Sequence, residues 1–79
     1  MIAIKNTWEE KSALYKQKSK VITRQGIVFI NSFEVALRLG EDVKNIQWKA
    51  KYGRFRDIAK RWGKLYWFQE KDINRLMGV

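Results

Sequence analysis

The chain has no cysteine, no proline and no histidine. Without cysteine, neither a disulfide nor a thiolate metal site can hold the fold together. Without histidine, the commonest general base, the commonest zinc ligand and the usual switch near neutral pH are all missing. Catalysis would have to rest on eight carboxylates, the lysines or a tyrosine, and none of these stands in a recognisable catalytic spacing. The expectation is a protein that binds rather than catalyses, with no cofactor and no small-molecule substrate. Long apolar runs are also lacking: none approaches the ~20 residues a membrane span needs. Trp8, Glu9 and Glu10, so early in the chain, do not fit a secretory leader. A cytoplasmic protein with no membrane partner is expected.

What the chain has in excess is positive charge. Seventeen Lys and Arg face eight Asp and Glu, for a net +9 over 79 residues. The excess is clustered. Residues 11–24 carry five basic side chains and no acid, and residues 44–64 carry eight basic side chains and one acid. Two basic blocks of this kind are the electrostatic footprint of a polyanionic partner. A chain this short makes one domain with a modest core.

No internal repeat or low-complexity stretch is visible, and glycines at 26, 40, 53 and 63 divide the chain into blocks. In the first, Thr7-Trp8-Glu9-Glu10 has capping-box form and opens a helix over 8–19, with Lys11, Lys16, Lys18 and Lys20 expected on its outer side. The second, 21–30, is β-branched and split by Gln25-Gly26, which predicts a short hairpin, the preferred reading, or a single strand leading into the next helix. The third holds another capping box, Asn31-Ser32-Phe33-Glu34, with Ile30 and Val35 spaced as a hydrophobic staple. Gly40 can stop this helix and Asp42 can cap the next, whose inward face is Val43, Ile46 and Ala50. The fourth reads as strands over 55–59 and 65–68 flanking a basic tip, Lys60-Arg61-Trp62-Gly63-Lys64, and then a closing helix from about Glu70. Phe55, Ile58, Leu65, Trp67, Ile73 and Leu76 are assigned to the core.

Helix, tight turn, helix and two-stranded wing is a winged helix-turn-helix order. Asn31-Ser32-Phe33-Glu34-Val35-Ala36-Leu37-Arg38-Leu39-Gly40, then Val43 and Ile46, Gly53-Arg54-Phe55, and Trp62-Gly63-Lys64-Leu65-Tyr66-Trp67-Phe68 carry a further likeness. Over residues 28–77 the chain resembles the excisionase and MerR-like group of winged-helix DNA-binding domains. The resemblance implies an α+β fold: a small winged helix-turn-helix domain with a C-terminal β-hairpin wing, here preceded by an extra N-terminal helix. It divides the chain into a basic helix with a short strand or hairpin at 1–30 and the winged domain at 31–79, together one compact domain. It also implies double-stranded DNA as partner, with an integrase or further copies of the chain beside it. The role implied is that of a phage excisionase, a directionality factor in DNA recombination, or a phage transcription regulator. Two other readings stay open: an RNA-binding protein, and a small phage protein that binds and inhibits a host protein.

The second helix, as the groove-entering element, would present Lys44, Asn45, Trp48, Lys49, Lys51 and Tyr52. Asn45 can pair bidentately with an adenine, and the lysines can reach guanine or phosphate. Trp48 is unusual on a polar face and serves either a partner or the docking of the first helix. Arg54 and Arg56 would meet backbone phosphates. Lys60, Arg61 and Lys64 at the wing tip suit phosphate or minor-groove contact, with Trp62 as a wedge or a lid. No metal site is expected.

Overall fold

The computed structural model describes residues 8–78. The capping box expected at Thr7 therefore falls outside the described residues. Four helices and four strands follow in the order α1 (Trp8–Lys18), β1 (Val21–Arg24), β2 (Ile27–Asn31), α2 (Ser32–Leu39), α3 (Val43–Lys51), β3 (Lys60–Trp62), β4 (Leu65–Gln69) and α4 (Glu70–Leu76). The strands form one antiparallel sheet in the order β1-β2-β4-β3, so residues 21–31 and 60–69 share a sheet. The fold is α+β, as expected. No described helix is long and apolar enough to cross a membrane.

Local chemistry explains most element ends. Gln25 and Gly26 both have positive φ, 52° and 80°, the backbone of a two-residue turn matched to strand twist. Asn31 caps α2 by accepting from the Glu34 N–H, and Asp42 caps α3 by accepting from the Lys44 N–H. Ile30 and Val35, the staple pair, are both fully buried. Only half of the capping box forms. The Asn31 N–H already donates to the Lys20 carbonyl, so the Glu34 carboxylate turns instead to Arg38 at 2.8 Å.

The hairpin of the fourth block is shifted from its expected place. Residues 55–58 are turns, the strands are Lys60–Trp62 and Leu65–Gln69, and the tip is Gly63-Lys64. Phe55 drives the difference. It is buried and its ring meets Phe68 edge-on, while its N–H donates to the Lys49 carbonyl, which folds the segment back under α3. Gly63 has φ 64°, as the first position of such a tight hairpin turn requires. Lys60 and Arg61 are therefore strand residues and not tip residues.

One sheet face supplies Ile30 and Phe68 to the core, where they meet Tyr15, Val35, Ala36, Ile46, Ala50, Phe55 and Ile73. The opposite face carries Phe29, Trp62 and Trp67, with ring centroids 5.0 and 5.6 Å from Trp62. Leu76, assigned to the core from sequence, is 37% exposed. Lys11, expected on the outer side of α1, turns inward, because it lies one turn before the buried Tyr15 and pairs with Asp42 at 2.7 Å.

A repeat is present after all. Ile30 pairs with Phe68 at the centre of the sheet, and a step of 38 residues carries Asn31 to Gln69, Val35 to Ile73 and Gly40 to Gly78. The same step carries the Gln25-Gly26 turn onto the Gly63-Lys64 turn. Each unit is a hairpin running straight into a helix, and the two are related by a pseudo-two-fold axis through the Ile30–Phe68 pair. Leu76 stands in the place of Arg38, which is itself partly solvated in α2.

Candidate nucleic-acid interface

α3 turns Ile46 and Ala50 into the core, which fixes what faces outward. Lys44, Gln47, Trp48 and Lys51 recur at i, i+3, i+4 and i+7, one stripe of the helix, and Tyr52 continues it. Across from this stripe lies the β3–β4 hairpin, brought alongside by Phe55. Strand alternation decides which of its side chains face α3. Arg61 and Tyr66 are register partners, so they share a face, and the Arg61 guanidinium lies 5.2 Å from the centre of the Tyr66 ring.

Stripe and hairpin enclose an open groove of about 460 Å³ lined by Lys44, Gln47, Trp48, Lys51, Tyr52, Arg61, Lys64 and Tyr66. Four cations and three aromatics line it, and no carboxylate does. Trp48 and Tyr52 are 60% and 61% exposed, with ring centroids 6.1 Å apart. Exposed rings of this size on a basic surface are costly to leave in water and available for stacking. Trp48 meets the Tyr52 ring and is otherwise largely exposed, so it offers an open face to a partner.

Acidic side chains elsewhere hold four other cations. Glu41 holds the Lys49 ammonium at 2.8 Å, Asp42 holds Lys11, Glu34 and Glu70 share Arg38, and Asp72 holds Arg75. Lys11 donates to Asp42, and together with the Lys44 N–H this holds the Asp42 carboxyl down at about 2, so it stays charged at any pH where nucleic acid is intact. Among the described residues, none of the four groove cations is paired with a carboxylate.

Of the twelve side chains singled out from the sequence, six meet in the groove: Lys44, Trp48, Lys51, Tyr52, Arg61 and Lys64. The other six lie elsewhere. Asn45 is exposed on the next flank of α3, and Lys49 is half-buried against Glu41. Arg54 and Arg56 are exposed in the turns after α3, with Arg54 5.9 Å from the Phe55 ring centre. Lys60 is the register partner of Trp67 and shares its face of the sheet, away from the groove. Trp62 lies on that face too, between Phe29 and Trp67, with the Arg24 guanidinium 5.5 Å from its ring.

Two lining residues escaped the sequence reading. Gln47 was legible, because it completes the stripe between Lys44 and Lys51. Tyr66 was not, since its face depends on where the hairpin turns. Comparison with protein-family models, with curated proteins and with solved structures finds no match to this chain.

Proposed function

We propose that the protein is a non-enzymatic DNA-binding module that holds duplex DNA between α3 and the β3–β4 hairpin, in the manner of a winged helix-turn-helix. The groove carries this reading: four cations without acidic partners and three aromatics converge on it from two elements. An α-helix with its side chains is about 10–12 Å across. Such a helix fits a major groove roughly 12 Å wide. Lys44 and Lys51 then reach phosphate or guanine, and Trp48 offers apolar contact to a thymine methyl. The side chain that reads adenine is Gln47 rather than Asn45, since Gln47 stands in the groove and its amide can both accept from N6 and donate to N7. Arg61 and Lys64 supply the wing's backbone contacts. The role that fits a small basic protein of this kind is to bind and bend DNA beside a recombinase, or to regulate phage transcription.

The exposed Trp48–Tyr52 pair favours one other reading, in which unpaired bases of RNA or single-stranded DNA stack on the rings. Competition separates the two. A labelled duplex bound to the protein is challenged at fixed salt with unlabelled duplex, hairpin RNA and single strands. Duplex is expected to compete best, and Trp48→Ala is expected to weaken duplex binding without loss of folding. Displacement by single strands at concentrations where duplex fails would replace the duplex reading with the stacking one.

A further inference from the structure

α1 borders the opposite side of α3. Lys11, Leu14 and Lys18 recur at i, i+3 and i+7 on α1, and with Lys44 and Gln47 they line a second open groove of about 450 Å³. Lys44 and Gln47 line both grooves. They form a crest, with the hairpin beyond one flank and α1 beyond the other.

The placement of α1 is built into the fold. The Asp42 carboxylate accepts from the Lys11 ammonium at 2.7 Å, the Tyr15 hydroxyl at 3.2 Å and the Lys44 N–H at 2.9 Å. The Tyr15 hydroxyl in turn accepts from the Val43 N–H at 3.1 Å. One carboxylate thus caps α3 and ties α1 to its first turn. At the other end of α1, the Lys18 carbonyl accepts from the Asn31 side-chain amide at 2.9 Å. The Lys11 charge is spent on Asp42. Lys18 is exposed, its ammonium 5.5 Å from the centre of the Phe33 ring, and among the described residues it has no acidic partner.

We propose that α1 is a second backbone clamp. With α3 in the major groove, the hairpin meets the phosphates of one strand and Lys18 meets those of the other. The proposal rests on the duplex reading and extends it. A helix lying in the major groove has a phosphate backbone on each flank, and a protein with cations on only one flank leaves the other strand unneutralised. The crest-and-two-grooves arrangement places a cation on each side. It also gives the N-terminal basic block a task that the hairpin and α3 do not need it for.

The test compares Lys18→Gln with Lys16→Gln, which removes the same charge from an exposed position of α1 outside the groove. Duplex affinity is measured over a range of salt for both, for Lys18→Arg and for Lys51→Gln. Losing one phosphate contact lowers the steepness of the salt dependence by about 0.9, which is roughly eightfold in affinity at about 0.1 M salt. Lys18→Gln should show that loss, Lys18→Arg should restore binding, and Lys16→Gln should stay close to the unaltered protein. If Lys18→Gln and Lys16→Gln behave alike while Lys51→Gln still loses affinity, the α1 clamp is overturned and the α3–hairpin reading stands. If the unaltered protein does not bind duplex, or Lys51→Gln changes nothing, both are overturned.

Discussion

Asn31 shows how much one polar side chain can organise. It is fully buried, and its Oδ1 accepts from the N–H groups of Glu34 and Lys20 while its Nδ2 donates to the Lys18 carbonyl. It thereby joins the end of α1, the start of β1 and the start of α2. Gln69 is its partner under the pseudo-two-fold, yet it makes no capping bond and its Oε1 is buried without a hydrogen bond. Its side chain is one methylene longer than the preferred capping residues, which hold their oxygen close to the second or third amide of the helix. Removing the two side chains should therefore have unequal effects. Asn31→Ala loses a cap and two further part-buried hydrogen bonds to the backbone, for about 2–4 kcal/mol of stability, whereas Gln69→Ala should cost less than ~1 kcal/mol. Urea denaturation measures both, and equal losses would mean that these hydrogen bonds do not set the difference. The caps at Asn31 and Asp42 were legible in the sequence because capping reaches only two or three residues along the chain. The tie from Asn31 to Lys18 was not, because it depends on where the β1–β2 hairpin returns the chain.

At the scale of elements, the β1–β2 hairpin, both central helices and the closing helix could be read from turn residues and apolar spacing. The second hairpin could be read only in part. Phe55, Ile58 and Ala59 have a composition that suits a strand as well as a packed turn, and the tie is broken by Phe55 reaching Phe68, a contact no local pattern reveals. The position of the turn matters for the site. Moving the tip to Gly63-Lys64 puts Lys60 and Arg61 on consecutive strand positions, and therefore on opposite faces of the sheet. Their charges are identical and their neighbours are not, so they form a matched pair for testing the groove. Arg61→Ala should weaken duplex binding and lower the salt dependence by about one contact, while Lys60→Ala should shift affinity by no more than about twofold. A gel-shift titration of the two variants against one duplex suffices. Equal losses would show that the hairpin acts through its bulk charge and that the face on which Arg61 meets Tyr66 has no special part.

For the whole molecule, the least legible feature was the doubled hairpin–helix unit. Its two copies share a burial pattern and turn positions but few residues: Ile30 answers Phe68 and Val35 answers Ile73, while Phe33 answers Lys71. Symmetry in the backbone leaves charge free to be distributed unevenly. Carboxylates neutralise Lys11, Arg38, Lys49 and Arg75, and four of the cations without such a partner line the groove beside α3 with no acid among them. This arrangement makes net charge a poor guide to binding, and it can be tested as such. Were the full +9 to act together, affinity would fall with salt with a logarithmic slope near −8, at about −0.9 per neutralised phosphate. If Lys44, Lys51, Arg61 and Lys64 make the contacts, the slope should lie near −3.5, and Lys18 as a fifth contact would bring it to about −4.5. Titration of duplex at several concentrations of monovalent salt gives the number directly. A slope near −8 would mean diffuse attraction to the whole surface and would remove the groove as the site. A nearly flat slope would mean that phosphate is not what these cations were gathered to meet.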